Sequence, residues 1–203
     1  MAEYEAITDV GGTLVTMLRD RMGDLISREK EIALVSPGDV GSGDDIRLSL
    51  FLFRVAEDGH RKNVERRMVS PERVRNSPLE LDLHYLLTAH PSKGSGDPTS
   101  TTKEQHSVLG RAMQVLHDTP VLRGSDLTGS LAGSQEFRVL QDPKPTDEIL
   151  NIWNTFAEKP YQPSVSYLVT PITIESTRER TTARVRERTV EEYTRTGRGN
   201  PHE

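Results

Sequence analysis

Two segments of period-two hydrophobicity constrain the fold most: Ile46 to Phe53, which reads IRLSLFLF, and Leu79 to Thr88, which reads LELDLHYLLT. Successive side chains of a strand point to opposite faces, so this alternation specifies strands with one apolar face. In the second segment Leu79, Leu81, Leu83, Tyr85 and Leu87 lie opposite Glu80, Asp82, His84 and Thr88. In the first, Ile46, Leu48, Leu50 and Leu52 make an aliphatic face, while the other face changes from Arg47 and Ser49 to Phe51 and Phe53. That gradient predicts a strand that starts half exposed and ends covered on both faces, which suits a sheet flanked by helices.

Helical periodicity supplies the flanking layers. Ile7, Val10, Leu14, Met17, Leu18 and Leu25 recur at three- and four-residue spacing and share one helix face. Gly11 and Gly12 weaken that helix by about 1 kcal/mol each relative to alanine. They are tolerable where a neighbouring element, of this chain or of another subunit, packs on the bare backbone. Thr102 and Gln105 read as a capping box for a second helix with Val108, Leu109, Ala112, Val115 and Leu116 inward, stopped by Thr119-Pro120. A third begins with Thr146 as its cap and buries Ile149, Leu150, Ile152, Trp153 and Phe156. Further short strands are expected at Glu31 to Val35, Phe137 to Leu140 and from Val165 through Ile174, with loops at Ser92 to Ser100 and Gly124 to Gly133. The sum is an α/β (α+β) domain, a mixed β-sheet flanked by helices, over residues 1–175.

Composition then separates the end of the chain. Hydrophobic residues are 33% and charged ones 28%, so part of the length lies outside the core. From Glu175 to Glu203 there are seven arginines and six glutamates and no leucine, isoleucine or phenylalanine, which makes 176–203 a charged C-terminal arm. Thr181 to Val190 is rich in threonine and valine, residues that favour extended structure. It reads either as a solubilising tail or as a strand that pairs with a partner.

No constellation for chemistry stands out. The absence of cysteine removes thiolate nucleophiles and cysteine-held metals. His106 and His117 are about three turns apart on one helix, and no His-Glu-x-x-His spacing occurs, so neither a metal nor a cofactor is expected. Asp82 and His84 with Ser49 are the nearest approach to a hydrolytic set, without a Gly-x-Ser-x-Gly elbow. The glycine clusters lack the Lys-Ser/Thr ending of phosphate loops. No apolar run approaches the roughly 20 residues of a membrane span, and the acidic start Met-Ala-Glu-Tyr-Glu predicts cytoplasmic synthesis without a signal peptide. A net charge of -5 argues against a broad nucleic-acid surface.

Several segments carry a family pattern: Ser49-Leu50-Phe51-Leu52-Phe53-Arg54-Val55-Ala56-Glu57, Arg61-Lys62-Asn63, the run from Pro78 to Ala89, the run from Leu109 to Leu122 containing Leu-His-Asp-Thr-Pro-Val-Leu, Glu148 to Trp153, and Tyr161 to Tyr167. In this order, over roughly residues 5 to 175, they resemble the small cap, or tail-terminator, proteins of extracellular contractile injection systems. Asp58-Gly59-His60 departs from the family pattern just before Arg61 and Asn63. The resemblance implies a tail-terminator-like fold and a structural, non-enzymatic role in a contractile phage-tail-like particle. It also implies a six-membered ring of this chain that closes the distal end of the inner tube and engages the last layer of the sheath.

The candidate assembly interface comprises Arg61, Asn63, Arg66 and Arg67, with Arg184, Val185, Arg186 and Arg188 in the arm meeting the sheath protein. The expected partners are thus further copies of the chain, the inner tube protein and the sheath protein, with no membrane and no nucleic acid, in a particle that stays in the cytoplasm or is released. Two other classes stand beside this one: a particle-associated effector or enzyme, and an RNA-associated protein using the arginine-rich tail.

Overall fold

Alternating and helical segments sort into layers around one sheet. A computed structural model of the chain describes residues 4–59, 67–70, 73–93, 96–133, 135–156 and 159–181, with only the backbone for 67–70. Its strands are β1 (Ile32–Leu34), β2 (Leu48–Glu57), β3 (Arg67–Ser70), β4 (Arg73–Arg75), β5 (Leu79–Ala89), β6 (Val121–Arg123), β7 (Glu136–Gln141), β8 (Ser164–Ile174) and β9 (Glu179–Thr181). The helices are α1 (Ala6–Arg21), α2 (Pro98–Asp118) and α3 (Thr146–Trp153). Six strands form the main sheet in the order β1-β2-β5-β8-β7-β6, and β3-β4-β9 form a second. The β1–β2 pair is parallel and the other neighbours are antiparallel, so the main sheet is mixed and flanked by helices, as the sequence predicts.

Adjacent residues of β5 show how the layers divide. Tyr85 and Leu87 join the core under α1 and α2, while Leu86 packs on the opposite face with Ile149 and Trp153 of α3. On α1, the predicted face holds: Val10, Leu14, Met17 and Leu18 are buried, although the helix ends at Arg21 and leaves Leu25 exposed. Gly11 is covered from within the chain, because a Cβ there would lie 2.7 Å from Cδ2 of Leu34 in β1. Val108, Ala112, Val115 and Leu116 form the buried stripe of α2.

Three expectations are corrected. Burial along β2 runs opposite to the predicted gradient: Leu48, Ser49 and Leu50 are buried and Arg54, Val55 and Glu57 are exposed. Ser49 tolerates burial because its hydroxyl is hydrogen-bonded to His90, whereas Phe51 and Phe53 are only half-buried against the Leu86, Ile149 and Trp153 cluster and the strand beyond them is largely exposed. Helix α2 starts earlier than Thr102, since Asp97 accepts from the backbone N–H groups of Thr99 and Ser100 and Pro98 occupies the first helical position. Gln105 is instead buried, donating Nε2 to the Ala89 carbonyl and to Gln162. Thr146 lies within α3, with Pro145 at the cap position, so proline geometry rather than a side-chain oxygen starts that helix.

The loop after β6 folds into two 3-10 turns that bury Leu127 and Leu131. One turn is clamped to α1: Asp9 accepts from the backbone N–H and hydroxyl of Ser130 at 2.8 and 2.7 Å. Gly129 between them has φ +62°, and Asp9 fills the space a Cβ would need, so glycine is required there on both counts. Strand β8 runs through Pro171, which sits where its pairing with β5 is irregular and loses no ladder hydrogen bond to a missing N–H.

Candidate functional site

The residues with catalytic potential do not meet. Asp82, His84 and Ser49 are drawn to three different partners: Thr170 donates to Asp82 at 2.5 Å, His84 Nδ1 lies 3.1 Å from Asp142, and Ser49 lies 2.8 Å from His90 Nε2. The Ser49–His90 pair is the one serine–histidine contact of that group, and sequence spacing could not reveal it because it joins β2 to the turn beyond β5. Burial, with the Lys159 ammonium nearby, lowers the His90 pKa to about 4. The imidazole is therefore neutral at pH 7. It lies beside a cleft of about 360 Å³ bordered by Ser42, Lys93, Trp153, Lys159 and Gln162. Ser49 itself is completely buried, so its hydroxyl ties strand to turn and is closed to substrate.

A second polar cluster supports α3. Lys144 Nζ reaches Asp142 at 3.1 Å and Glu148 at 2.9 Å, and stands 5.9 Å over the Phe53 ring. Burial opposes ionisation of Asp142, but hydrogen bonds from Lys144 and His84 outweigh it and hold its carboxyl below the usual carboxylate range. Burial likewise disfavours the Lys144 ammonium, and its two carboxylate partners reverse the effect and raise its pKa. These groups neutralise one another and position a helix. The phenols of Tyr85 and Tyr167 are raised by burial, the latter to about 12. Among the described residues no group of three or more histidine and carboxylate side chains is arranged to hold a metal ion, and no helix is long and apolar enough to cross a membrane.

The predicted assembly interface is described only in part. Of the predicted interface, Arg61, Asn63, Arg66, Arg184, Val185, Arg186 and Arg188 lie outside the described residues. Arg67 opens β3, opposite Arg75 of β4. The first residues of the expected arm pair within the chain: β9 is antiparallel to β4, Asn76 N–H donates to the Arg178 carbonyl at 3.0 Å, and Glu179 receives Arg75 at 3.1 Å and Arg73 at 3.8 Å. Arg73 and Arg75 of β4 and Arg180 of β9 thus belong to one small sheet, with Arg178 just before it, and the register pairs Arg180 with Val74, on the face opposite Arg73 and Arg75. They were missed as a group because they come from two distant segments, and the only signal for them was the excess of arginine in both.

Comparison with known proteins agrees with this architecture. The family model of the Pvc16 N-terminal domain matches residues 9–188. No curated protein matches the chain. Among solved structures, the PVC sheath/tube terminator of an extracellular contractile injection system, in its extended state, aligns with 93% of this chain and 64% of its own length, at 18% identity and a TM-score of 0.62. The tube-terminating cap of the anti-feeding prophage aligns with 91% of this chain and 60% of its own, at 18% identity and a TM-score of 0.59. This chain spans less than two thirds of either solved relative, and its mixed sheet with flanking helices is the tail-terminator-like fold they share. Because the family match runs through nearly all of the described elements, the chain belongs to the Pvc16 N-terminal domain family.

Proposed function

We propose that the protein is a structural cap that closes the distal end of the inner tube of a contractile phage-tail-like injection particle and joins it to the last sheath layer. The observation that carries this reading is the family match over residues 9–188, with a fold shared across 93% of the chain with a sheath/tube terminator. A cap must match the rotational symmetry of the tube it closes, since otherwise some subunits lack equivalent contacts, and the reading takes a ring of six copies. The protein is made in the cytoplasm and becomes part of the particle, without catalytic activity. Electron microscopy of particles made with and without the gene tests the role. Tubes of uncontrolled length are expected in its absence, and tubes of normal length would overturn it.

The grip on the sheath is assigned to the arm beyond β9. Backbone pairing at an open strand edge tolerates variable sequence, which suits the threonine- and valine-rich stretch ending at Val190. Removing residues 182–203 keeps β9, so the domain is expected to fold and cap the tube while sheath attachment is lost. Normal sheath attachment and contraction after that deletion would show that the arm is only a solubilising tail. The enzyme reading draws on the Ser49–His90 contact alone, and the full burial of Ser49 favours a structural role for that pair.

A further inference from the structure

The cleft beside His90 is bounded by three loops at the end of the main sheet where β2 and β8 begin and β5 ends. Pro37, Pro91, Pro160 and the ring of Trp153 give it apolar walls, and its volume of about 360 Å³ suits a small molecule or the last residue of a chain.

Three polar side chains of the cleft are left with free donors, because the fold uses up their other polar ends. Ser49 is completely buried and His90 Nε2 is its one side-chain partner among the described residues, so the hydroxyl proton is satisfied by donation to Nε2. That puts the ring proton on Nδ1, which has no partner among the described residues. His90 is only 7% exposed, and it borders the cleft. Gln162 Oε1 accepts from Gln105 Nε2 at 2.7 Å, which leaves its NH2 group as the free end. Lys159 Nζ donates to the Val40 carbonyl at 2.7 Å and keeps its other N–H groups for a further acceptor. None of these free nitrogens is sealed from solvent.

Charge narrows the occupant to a singly charged anion. Lys93 and Lys159 border the cleft against one carboxylate, Asp44, whose Oδ2 accepts from the Gly41 N–H at 2.7 Å. Lys93 is shared with Asp45, 3.5 Å away, whereas Lys159 has no carboxylate partner among the described residues. Burial, and after it the Lys159 ammonium, keeps His90 neutral at pH 7, so the cation of the cleft is Lys159 and the imidazole is a neutral donor.

We propose that this cleft binds a carboxylate carried on an apolar stem, with Lys159, Gln162 and His90 holding the carboxylate and Trp153 and the prolines covering the stem. A carboxylate accepts hydrogen bonds at both oxygens, and its bond to a partly buried ammonium is charge-assisted. The second charge of a phosphate monoester would instead be set against Asp44. A small free acid and the C-terminal residue of another polypeptide share the required chemistry, and the test separates them. The inference stands apart from the cap reading, which none of the outcomes below touches.

Trp153 is the only tryptophan of the chain, so its fluorescence reports on the cleft. Full-length protein is titrated with hexanoate, with the acetylated dipeptide Ala-Leu bearing a free carboxylate, with the same dipeptide as its amide, and with inorganic phosphate. A saturable change in emission with an apparent Kd below about 1 mM is expected for at least one of the two carboxylates, and none for the amide. An advantage of at least about tenfold for the dipeptide over hexanoate assigns the cleft to a chain terminus, and a smaller one assigns it to a free acid.

Gln162→Glu keeps the oxygen that accepts from Gln105 and replaces the free donor with negative charge, and Lys159→Met removes the cation. Each is expected to weaken binding at least about tenfold. Unchanged thermal melting verifies the fold, and where Lys159→Met melts lower, Gln162→Glu carries the test. Binding of the amide as tight as that of the acid, full affinity in Gln162→Glu, phosphate binding tighter than either carboxylate, or no binding of either carboxylate overturns the proposal.

Discussion

On the side of the main sheet that faces α1 and α2, the core is a continuous aliphatic layer from Leu48 and Leu50 through Leu81, Leu83, Tyr85 and Leu87 to Val169 and Ile172. On the α3 side the buried apolar set shrinks to Leu86, Ile149 and Trp153, fringed by half-buried Phe51, Phe53, Ile152 and Phe156. Charge takes over where apolar cover ends, in the group of His84, Asp142, Lys144 and Glu148. The first face is held by area removed from water, and the second by a few directional contacts. A sheet built this way has a rigid back and a front that can carry surface roles without jeopardising the fold.

The comparison breaks first at Leu83, which has no exposure and sits between the two long helices and the sheet. Leu83→Ala should cost about 4 kcal/mol, measured by chemical denaturation, because a packed aliphatic layer closes a cavity poorly. Trp153→Ala should cost about 3 kcal/mol, at the lower end for a tryptophan, since the half-buried Phe51 and Phe156 can move into the space. A larger loss at Trp153 than at Leu83 would invert the ranking of the two faces.

A pH titration sharpens the picture at the junction of β2 and β5. The folded pKa of His90 lies below its ordinary value, so the unfolded chain binds the proton more readily. The associated stability is complete above about pH 6.5 and is lost as pH falls towards 4, a contribution of about 3 kcal/mol. In His90→Gln the slope of stability over that window should flatten, as read from denaturation midpoints at several pH values. The smallest effect is expected at Lys144→Met, which leaves Asp142 and Glu148 without their shared cation. Both carboxylates reach solvent, so the loss should be about 1 kcal/mol, and a loss of several would mean that the charged group, rather than Trp153, anchors α3.

Much of this architecture was readable in the residues. Alternation at Leu79 to Leu87 and the i, i+3, i+4 spacing of Val10, Leu14, Met17 and Leu18 placed β5 and α1 correctly, because one-sided burial imposes these periods on any chain. The short strands β3, β4, β6 and β9 were not visible, since three or four residues are too few for a period and the charged sequence of β4 and β9 resembles a solvated loop. The direction of burial along β2 is not legible in the residues for a related reason. Ser49 reads as a surface residue until His90, forty-one positions later, is folded against it. The candidate site divides in the same way, with the arginines plain in the sequence and the shared contact of Arg73 and Arg75 with Glu179 invisible.

By itself, then, the order of residues determined the class of fold, the helix and strand faces and the absence of cysteine chemistry, all of which follow from local spacing and composition. Only the tertiary structure decided that β9 pairs with β4, that Ser49 meets His90 rather than His84, and that Lys144 is shared between Asp142 and Glu148. Those are contacts in which polar groups choose among several chemically equivalent partners. The choice depends on which ones the packed sheet brings within hydrogen-bonding distance once water has been excluded.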